Sequence, residues 1–356
     1  MFFGNGLIAV DIGSSAIKLL ELSGQGVQRK LKNFAMEVLP RGAIENGTLV
    51  DADAVVSALR RCVSKVGAKG RRAAVAVSGN GVVLKKVRIT PGKDASVEEQ
   101  VNFHASQAFQ IDLADLYYDF AELGASPVNS NDVEVLLVGA RRELIEQYIG
   151  IVKAAGLNLG VIEAAPLSLA NMFEMNYGVV DGLISMISIG ASRTQVSFID
   201  NGRYLYGHDI PIGGEAYTSA IMQTLNIARD SAESLKISAA MDPSAVSVEV
   251  RKILDDTTQA IVHEIRQIFS FFSGSPDSEG SSALKYTFLT GGGSRTLGLD
   301  AAIAASLGTP VYGSNPFQKI ELNTRKFQLD QMMALSPFFG VSVGLGFREK
   351  GDKVAV

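Results

Sequence analysis

Two segments, one in each half of the chain, share a pattern that restricts the possible fold. The first is Ala9-Val-Asp-Ile-Gly-Ser-Ser-Ala-Ile-Lys-Leu-Leu-Glu-Leu22, and the second is Met186-Ile-Ser-Ile-Gly-Ala-Ser-Arg-Thr-Gln-Val-Ser-Phe-Ile199. In each, an apolar run typical of a β-strand meets a glycine and small residues, and a second alternating run follows, which predicts a tight hairpin. A glycine corner exposes backbone N–H groups that can bind a phosphate. Two such corners predict a nucleotide held from both sides.

The length and composition predict a folded protein with two domain cores, because the 356 residues are 47% apolar. The 33 basic and 37 acidic side chains give a net charge of −4, with no long block of one sign. A nucleic-acid partner is therefore not expected. The single cysteine, Cys62, cannot form an internal disulfide, which fits a reducing compartment such as the cytosol.

The sequence lacks the usual signals for membrane insertion. No apolar run approaches the roughly 18–20 residues that span a bilayer. The start, MFFGNG, has neither the charged beginning nor the long apolar core of a signal peptide. The final segment, Arg348–Val356, alternates in charge and has no apolar helical face. We therefore expect a cytoplasmic protein that contacts the membrane only through partners.

The first half of the chain has the pattern of a mixed α/β domain. Asp51–Asp53 is typical of a helix N-cap, and a helix to Val66 and a buried strand at Arg72–Ser78 follow. From residue 85 to residue 163 the pattern changes, with further strands and helices around a polar loop at Gly124–Asp132. This change predicts a small α/β subdomain inserted into the first domain, although one continuous domain would also explain it.

The second half repeats the hairpin and adds a further glycine-rich turn. A helix is predicted at Glu215–Leu225, after Gly213-Gly214, and a long helix at Val248–Phe272 from the spacing of its apolar residues. A strand at Tyr286–Thr290 runs into Gly291-Gly-Gly-Ser294, and a helix at Leu299–Leu307 follows. A strand, a glycine-rich turn and a helix N-terminus in that order predict another site for an anion or nucleotide.

Three motifs together resemble those of the superfamily of actin, heat-shock chaperones and sugar kinases. Asp11–Lys18 resembles its first phosphate motif, Ile189–Ser192 its second, and Leu289–Ser294 its adenosine motif. Ala232–Lys236 lies where that superfamily often has its base and ribose contacts. The resemblance implies an α/β fold of two actin-like lobes, with ATP and Mg²⁺ in the cleft between them.

The same resemblance implies boundaries for the lobes. The first actin-like lobe would comprise residues 1–180 and 335–356, with residues 85–163 as an inserted α/β subdomain. The second lobe would comprise residues 181–334.

Further segments resemble the PilM family of type IV pilus assembly proteins, which is related to the division protein FtsA. These segments are Met1–Gly4, Gln110–Leu113, Tyr118–Phe120, Leu136–Glu143, Ala155–Leu157, Val161–Asn171 and Ile265–Phe272. The family implies an ATP-binding, actin-like cytoplasmic scaffold at the inner face of the inner membrane. That scaffold would hold the cytoplasmic N-terminal peptide of the membrane protein PilN and couple it to the motor ATPases. The oligomeric state stays open, and a homo-oligomer is one alternative.

The chemistry of ATP gives each motif residue a role. The two corners would bind the β- and γ-phosphates, and they comprise Gly13, Ser14, Ser15, Gly190, Ala191 and Ser192. Lys18 would add a positive charge, and Asp11 would hold Mg²⁺ through its waters. Glu233 and Lys236 would hydrogen-bond ribose and base, or form an ordinary exposed ion pair. The residues that would let adenine approach the backbone are Gly291, Gly292, Gly293 and Ser294.

One departure from the superfamily pattern argues against efficient hydrolysis. Ser188 stands where many relatives have an aspartate, so a carboxylate that would orient metal or water is missing. Losing one positioned group can cost roughly 2.7–4 kcal/mol of barrier lowering. Glu163 and Glu215 are candidates for a base, but each could simply cap a helix or lie in solvent. We expect weak or absent turnover.

Two other functions fit the same superfamily. One is a polymerising filament protein like FtsA or MreB, which would pellet with ATP in a concentration-dependent manner. The other is a small-molecule kinase, which would need a carboxylate base and a substrate pocket in the cleft. The scaffold function is favoured because the sequence indicates no clear base, and because the predicted insert is better explained by a scaffold.

Overall fold

The computed structural model describes residues 6–26, 28–45, 47–92 and 96–349. The start Met1–Gly4 and the tail after Glu349, both used in the sequence analysis, lie outside these ranges. Before the predicted insert, the elements are β1 (Ile8–Ile12), β2 (Ala16–Gln25), β3 (Gln28–Val38), β4 (Ile44–Glu45), β5 (Thr48–Leu49), α1 (Ala52–Val66) and β6 (Arg72–Val77). The next elements are β7 (Val82–Ile89), α2 (Val97–Phe109), β8 (Leu116–Ala125), β9 (Val133–Arg141), α3 (Arg142–Ala154), β10 (Asn158–Ala164) and α4 (Ala165–Tyr177).

The second half of the chain has a similar alternation of strands and helices. Its elements are β11 (Leu183–Ile189), β12 (Thr194–Asp200), β13 (Arg203–Ile210), α5 (Gly214–Leu225), α6 (Arg229–Met241), α7 (Val248–Ser273), β14 (Leu284–Thr290), α8 (Leu299–Leu307), β15 (Val311–Gly313), β16 (Ile320–Glu321), α9 (Leu329–Leu335) and α10 (Gly340–Gly346). Among the described helices, none combines the length and the apolar character needed to cross a lipid bilayer.

The first sheet has six strands in the order β10-β6-β1-β2-β3-β16. β1 and β2 are antiparallel, with Ile12 opposite Ile17, which confirms the first predicted hairpin. The helix predicted after Asp51 is also confirmed as α1. The Asp51 side chain accepts the Ala54 N–H at 2.9 Å and so caps this helix. The sequence analysis did not predict β3, since its sequence, QRKLKNFAMEV, is largely polar and gives little apolar signal.

The second sheet has five strands in the order β13-β12-β11-β14-β15. β11 and β12 are antiparallel, with Ile189 opposite Thr194, which confirms the second predicted hairpin. Each sheet contains a strand with an antiparallel neighbour on one side and a parallel neighbour on the other, β1 in the first and β11 in the second. The two sheets therefore repeat one arrangement, and both glycine corners follow the corresponding strand.

A three-stranded sheet, β7-β9-β8, forms a separate unit together with α2. Ser96 and Glu99 form a capping box that starts α2, and Phe109 packs on this small core. The predicted boundaries, 85–163, include more than this unit. β10 pairs with β6 in the first sheet, and Tyr148 of α3 packs in the core of the first lobe. Strand pairing thus favours an insert of residues 82–141, and the division into lobes remains a prediction.

The C-terminal part of the described chain returns to the first lobe. β16 pairs with β3, with Ile320 opposite Arg29, although the prediction assigned residues up to 334 to the second lobe. α10 packs on α4 so closely that a Cβ on Gly344 would lie 1.7 Å from the backbone oxygen of Ser168. A glycine is therefore required where these two helices meet.

This close approach gives a test of the packing. Gly344→Ala should lower the free energy of unfolding by about 3 kcal/mol, because the added methyl group must displace a helix backbone. Gly150→Ala in α3 is the matched control, since no atom lies within 4 Å of the added Cβ. It should raise the same quantity by about 0.5–1 kcal/mol through helix propensity. Urea unfolding of both variants measures this, and equal stability of the two would contradict the packing.

Candidate functional site

A cavity of about 410 Å³ lies between the two repeated sheets, and nearly all predicted site residues line it. The predicted residues on its wall are Asp11, Gly13, Ser14, Ser15, Lys18, Gly190, Ala191, Ser192, Glu233, Lys236, Gly291, Gly292 and Gly293. Ser294 is not among them, and its hydroxyl donates to the backbone oxygen of Gly291 at 2.7 Å, so it closes the turn. Their roles toward a ligand remain predictions.

The two glycine corners face one another across this cavity. The Gly13 N–H donates to the Ala16 oxygen at 3.1 Å, and the Gly190 N–H donates to the Arg193 oxygen at 2.8 Å, so each amide closes its own hairpin. The Ser192 hydroxyl donates to the Ser14 hydroxyl at 2.9 Å and joins the corners directly.

The serine amides of the two corners are not used within the hairpins. Within the described ranges, the N–H groups of Ser14 and Ser192 have no backbone or side-chain acceptor. The two serine hydroxyls meet at the cavity wall, where hydroxyls and backbone amides together could bind a phosphate group. Because the glycine amides are used within their own hairpins, the serine amides and hydroxyls are the candidate donors at the corners.

Asp11 and Lys18 form an ion pair beside the first corner. They are cross-strand neighbours on β1 and β2, their charged atoms lie 3.1 Å apart, and their side chains are only 14% and 11% exposed. The corresponding neighbours on β11 and β12 are Ser188 and Gln195, which are uncharged. The repeat therefore keeps the shape of both corners but has the carboxylate and ammonium pair on one side only.

The fit of Mg²⁺ depends on Asp11. Mg²⁺ is usually held by one or two carboxylates, several waters and the substrate phosphates, so a single cleft carboxylate is compatible with it. No group of three or more His, Cys, Asp or Glu side chains with metal-binding geometry occurs in the part of the chain that the structure describes. Asp11 would therefore hold the ion together with the phosphates, and not in a site made of protein alone.

Glu233 and Lys236 lie in the cavity wall on α6, but they bind each other. Lys236 Nζ lies 2.8 Å from the Glu233 carboxylate and also donates to Thr218 Oγ1 at 2.9 Å and to the Gly214 oxygen at 3.1 Å. Burial raises the pKa of Glu233, but hydrogen bonds from Lys236 and Thr218 outweigh it and hold this pKa below its ordinary value. Glu233 is thus ionised, and its contact with Lys236 is already formed at the edge of the cavity.

The third glycine segment packs directly on the second corner. Gly291 has φ of +84°, and a Cβ there would lie 2.3 Å from the Ile189 oxygen. A Cβ on Gly213, before α5, would lie 2.6 Å from the Gly190 oxygen. Gly291 and Gly213 are therefore explained by the close packing of three backbone segments, and not by a need for a flexible connection.

An apolar wall that the sequence analysis did not predict completes the cavity beside these glycines. It comprises Ile237, Ala240, Met241, Pro337 and Phe338. A Cβ on Gly292 would meet the Phe338 ring at 2.4 Å, so the ring lies against the glycine turn. An apolar pocket next to close-packed backbone suits a planar heteroaromatic ring. The helical spacing of Ile237 and Met241 was the available signal.

The candidate bases differ in position. Glu163 is not part of the cavity wall, and it accepts hydrogen bonds from Ser168 at 2.7 Å and Asn171 at 2.9 Å. Glu215 does line the cavity, but it pairs with Arg229 and also lies 3.2 Å from Arg41 of the first lobe. Both carboxylates thus already have partners, and neither is placed as an obvious base.

One carboxylate of the cavity wall, Asp209, was not predicted from sequence. Asp209 on β13 accepts from Gln195 at 2.9 Å and lies 3.5 Å from Arg193. Arg193 also donates to Asn80 of the first lobe at 3.0 Å. Since Gln195 and Asp209 are cross-strand neighbours, only the observed register reveals their position opposite the first corner.

Several known proteins are similar to this chain. The curated proteins FtsA of Bacillus subtilis (strain 168) and FtsA of Streptococcus pneumoniae are 24% and 23% identical over 256 and 254 residues, in each case 64% of this chain. The matches span 57% and 54% of those proteins, so the chain covers little more than half their length.

Solved structures resemble nearly the whole chain. A PilM-PilN type IV pilus biogenesis complex matches with a TM-score of 0.82 at 22% identity, over 97% of this chain and 100% of that chain. MreB 5 of Spiroplasma citri bound to AMPPNP matches with a TM-score of 0.51 at 13% identity, over 96% and 95% of the two chains. These likenesses confirm the predicted actin-like α/β fold.

A family model described as type IV pilus assembly protein PilM matches residues 9–350. This range includes all three glycine segments and every other residue of the cavity wall. Because the match covers nearly the whole chain, the protein belongs to the family of the type IV pilus assembly protein PilM.

Proposed function

We propose that the chain is an ATP-binding, actin-like scaffold of the type IV pilus inner-membrane complex. The scaffold binds the cytoplasmic N-terminal peptide of a PilN-like membrane protein and couples it to the motor ATPases. The observation that carries the proposal is the direct contact of the two corners, 2.9 Å between the hydroxyls of Ser14 and Ser192. It lies at the wall of one cavity large enough for a nucleotide.

ATP is the proposed ligand because the cavity offers a matching group to each part of it. The serine amides and hydroxyls of the corners would bind the phosphates, with Lys18 supplying charge. Glu233 and Lys236 would contact the ribose and base at the edge of the apolar wall. The solved structure of MreB 5 is bound to AMPPNP, an ATP analogue, which supports a nucleotide in this fold. Mg²⁺ would neutralise phosphate charge when bound, with Asp11 as its protein ligand.

Hydrolysis should be weak or absent in the isolated protein. Transfer of a γ-phosphoryl group to water requires a positioned water and charge neutralisation, and Ser188 cannot supply the carboxylate that many relatives have there. Glu215 is engaged by Arg229 and Arg41. Phosphate release measured with purified protein, ATP and Mg²⁺ should therefore stay near the buffer background. Release at the rate of an active kinase, about 1–100 per second, would contradict this prediction.

The partner is proposed from the family and from the complex that the chain resembles. That solved structure is a PilM-PilN complex, and the match covers 97% of the present chain. A cytoplasmic peptide of a PilN-like protein would bring this chain to the inner membrane. The connection to the motor ATPases and a homo-oligomer remain predictions.

Nucleotide would act on the partner through the angle between the lobes. Contacts across the cleft, Ser14 with Ser192, Arg193 with Asn80 and Arg41 with Glu215, would be rearranged or reinforced when phosphates enter. A shift in lobe angle can change peptide affinity only if ATP prefers one shape. We therefore propose that ATP-loaded protein binds the peptide with an affinity different from that of the apo protein.

The test is fluorescence anisotropy with a labelled synthetic peptide. The peptide carries the residues that precede the membrane helix of the PilN-like protein from the same genome. The proposal predicts saturable binding, with a Kd that changes at least severalfold when ATP is added. Absence of binding would contradict the partner assignment, whereas binding with an unchanged Kd would contradict only the coupling to nucleotide.

A further inference from the structure

One end of the first lobe carries a dense group of basic side chains. We call it the basal patch, and it consists of Arg60, Arg61, Lys65, Lys69, Arg71, Arg72 and Lys153. Residues 54–72 contain six of these and no acidic residue, and residues 147–162 contain the seventh and no acidic residue. The whole chain has more acidic than basic residues, 37 against 33, so this concentration departs from the rest of the surface.

The fold brings the two segments together at the end opposite the cleft. β6 runs parallel to β1, which ends at the first corner, so the loop before β6 lies at the other end. The Gly70 N–H donates to the Gly156 oxygen at 2.7 Å, and Arg60 Nε donates to the Ala154 oxygen at 2.9 Å. The ends of α1 and α3 therefore form one surface away from the cleft.

Internal ion pairs account for only part of this charge. Arg61 and Lys65 pair with Glu37, and Arg71 pairs with Glu21. In contrast, three exposed members, Lys69, Arg72 and Lys153, have no acidic partner within 4.0 Å among the described residues. Lys65 and Lys153 lie in last helical turns, where a helix dipole favours them, but Lys69 lies in the loop beyond α1 and Arg72 is the first residue of β6.

We propose that the basal patch is a docking surface for anionic phospholipid headgroups. Exposed, unpaired lysines and arginines on one face are the features that attract a protein to an anionic leaflet. The patch has no exposed aromatic side chain in residues 54–72 or 147–162 on which a base could stack, which favours lipid over single-stranded nucleic acid. The inference rests on the proposed function in one respect, because a PilN-like partner would bring the chain near a bilayer.

Direct lipid binding by the basal patch would differ from the expectation that the protein contacts the membrane only through partners. Each Lys or Arg close to an anionic surface contributes about fivefold to the partition coefficient. The attraction decreases within a Debye length, about 10 Å at 0.1 M salt and about 3 Å at 1 M. Binding through the patch should therefore be weak, reversible and sensitive to salt, and it would orient the scaffold rather than anchor it.

The test is cosedimentation of the full chain, without peptide or nucleotide, with vesicles of equimolar phosphatidylglycerol and phosphatidylcholine. We expect binding at about 0.1 M salt that is lost at about 1 M, and none to pure phosphatidylcholine. The variant K69Q/R72Q/K153Q should bind about 100-fold more weakly. The control K85Q/K252Q/R266Q removes the same charge from exposed positions on the insert and second lobe, and should bind like the wild type.

Two further measurements keep the result decisive. Urea unfolding should show that both triple variants are as stable as the wild type. Equal loss of vesicle binding in both variants, or none in either, would overturn the basal patch as the site. Tighter binding to a DNA duplex than to the anionic vesicles would overturn the choice of lipid. If the chain does not bind anionic vesicles but still binds the PilN-derived peptide, the lipid proposal is wrong and the proposed function is unaffected.

Discussion

Replacing Lys18 by methionine should lower the affinity for ATP about 100-fold, because a charge-assisted contact to phosphate is lost and Asp11 is left unpaired. The two side chains are mostly buried and their charged atoms lie 3.1 Å apart. Without Lys18, the Asp11 carboxylate would face the triphosphate and repel it. Isothermal titration calorimetry of Lys18→Met with ATP measures the change.

The matched control is Lys30→Met. Lys30 also forms a lysine–carboxylate pair, with Glu321 at 2.7 Å, but both side chains are more than 60% exposed and lie outside the cavity. Exposed pairs contribute about 0–1 kcal/mol, so neither stability nor ATP affinity should change much. If Lys18→Met binds ATP as tightly as Lys30→Met does, Lys18 does not contact the phosphates.

Gly291→Ala should impair both stability and nucleotide binding. Its Cβ would lie 2.3 Å from the Ile189 oxygen, and its φ of +84° is unfavourable for alanine. Overpacking costs about 1–3 kcal/mol and left-handed backbone roughly 1–2 kcal/mol, so we expect a loss of about 2–5 kcal/mol in unfolding free energy. The displaced turn should also weaken ATP binding at least tenfold.

The Gly298→Ala variant separates the effect of backbone strain from the effect of overpacking. Gly298 precedes α8 in the same region, has φ of +78°, and has no atom within 4 Å of its added Cβ. This variant should lose only the roughly 1–2 kcal/mol of backbone strain and keep its ATP affinity. Urea unfolding and calorimetry on both variants provide the comparison. Equal losses in the two variants would mean that close packing on Ile189 is unimportant.

Local patterns allowed the prediction of much of the nucleotide cleft from sequence. Both hairpins have strong period-2 apolar runs interrupted by glycine, and the third segment has a strand, glycines and a helix, so each is visible by itself. Their convergence on one cavity followed from the resemblance to actin. The helix at Leu299–Leu307 was predicted with its observed bounds.

What the sequence missed depends on long-range pairing. β10 belongs to the first sheet only because it pairs with β6, and nothing in Asn158–Ala164 indicates that partner. Asp209 reaches the cavity through the register of β13 against Gln195. The basic pair Arg71-Arg72 looks like an ordinary solvated end in sequence, and only the fold places it near the end of α3.

The central claim is that two opposed glycine corners hold one triphosphate. The most direct test is a calorimetric titration of ATP into the wild type and Gly13→Val, since a side chain there would fill the first corner, where a Cβ would already lie 3.2 Å from the Ala16 backbone oxygen and 2.8 Å from Lys18 Nζ. The account predicts heat with one nucleotide per wild-type chain and none for Gly13→Val. No heat with the wild type, or the same heat with both proteins, would contradict it.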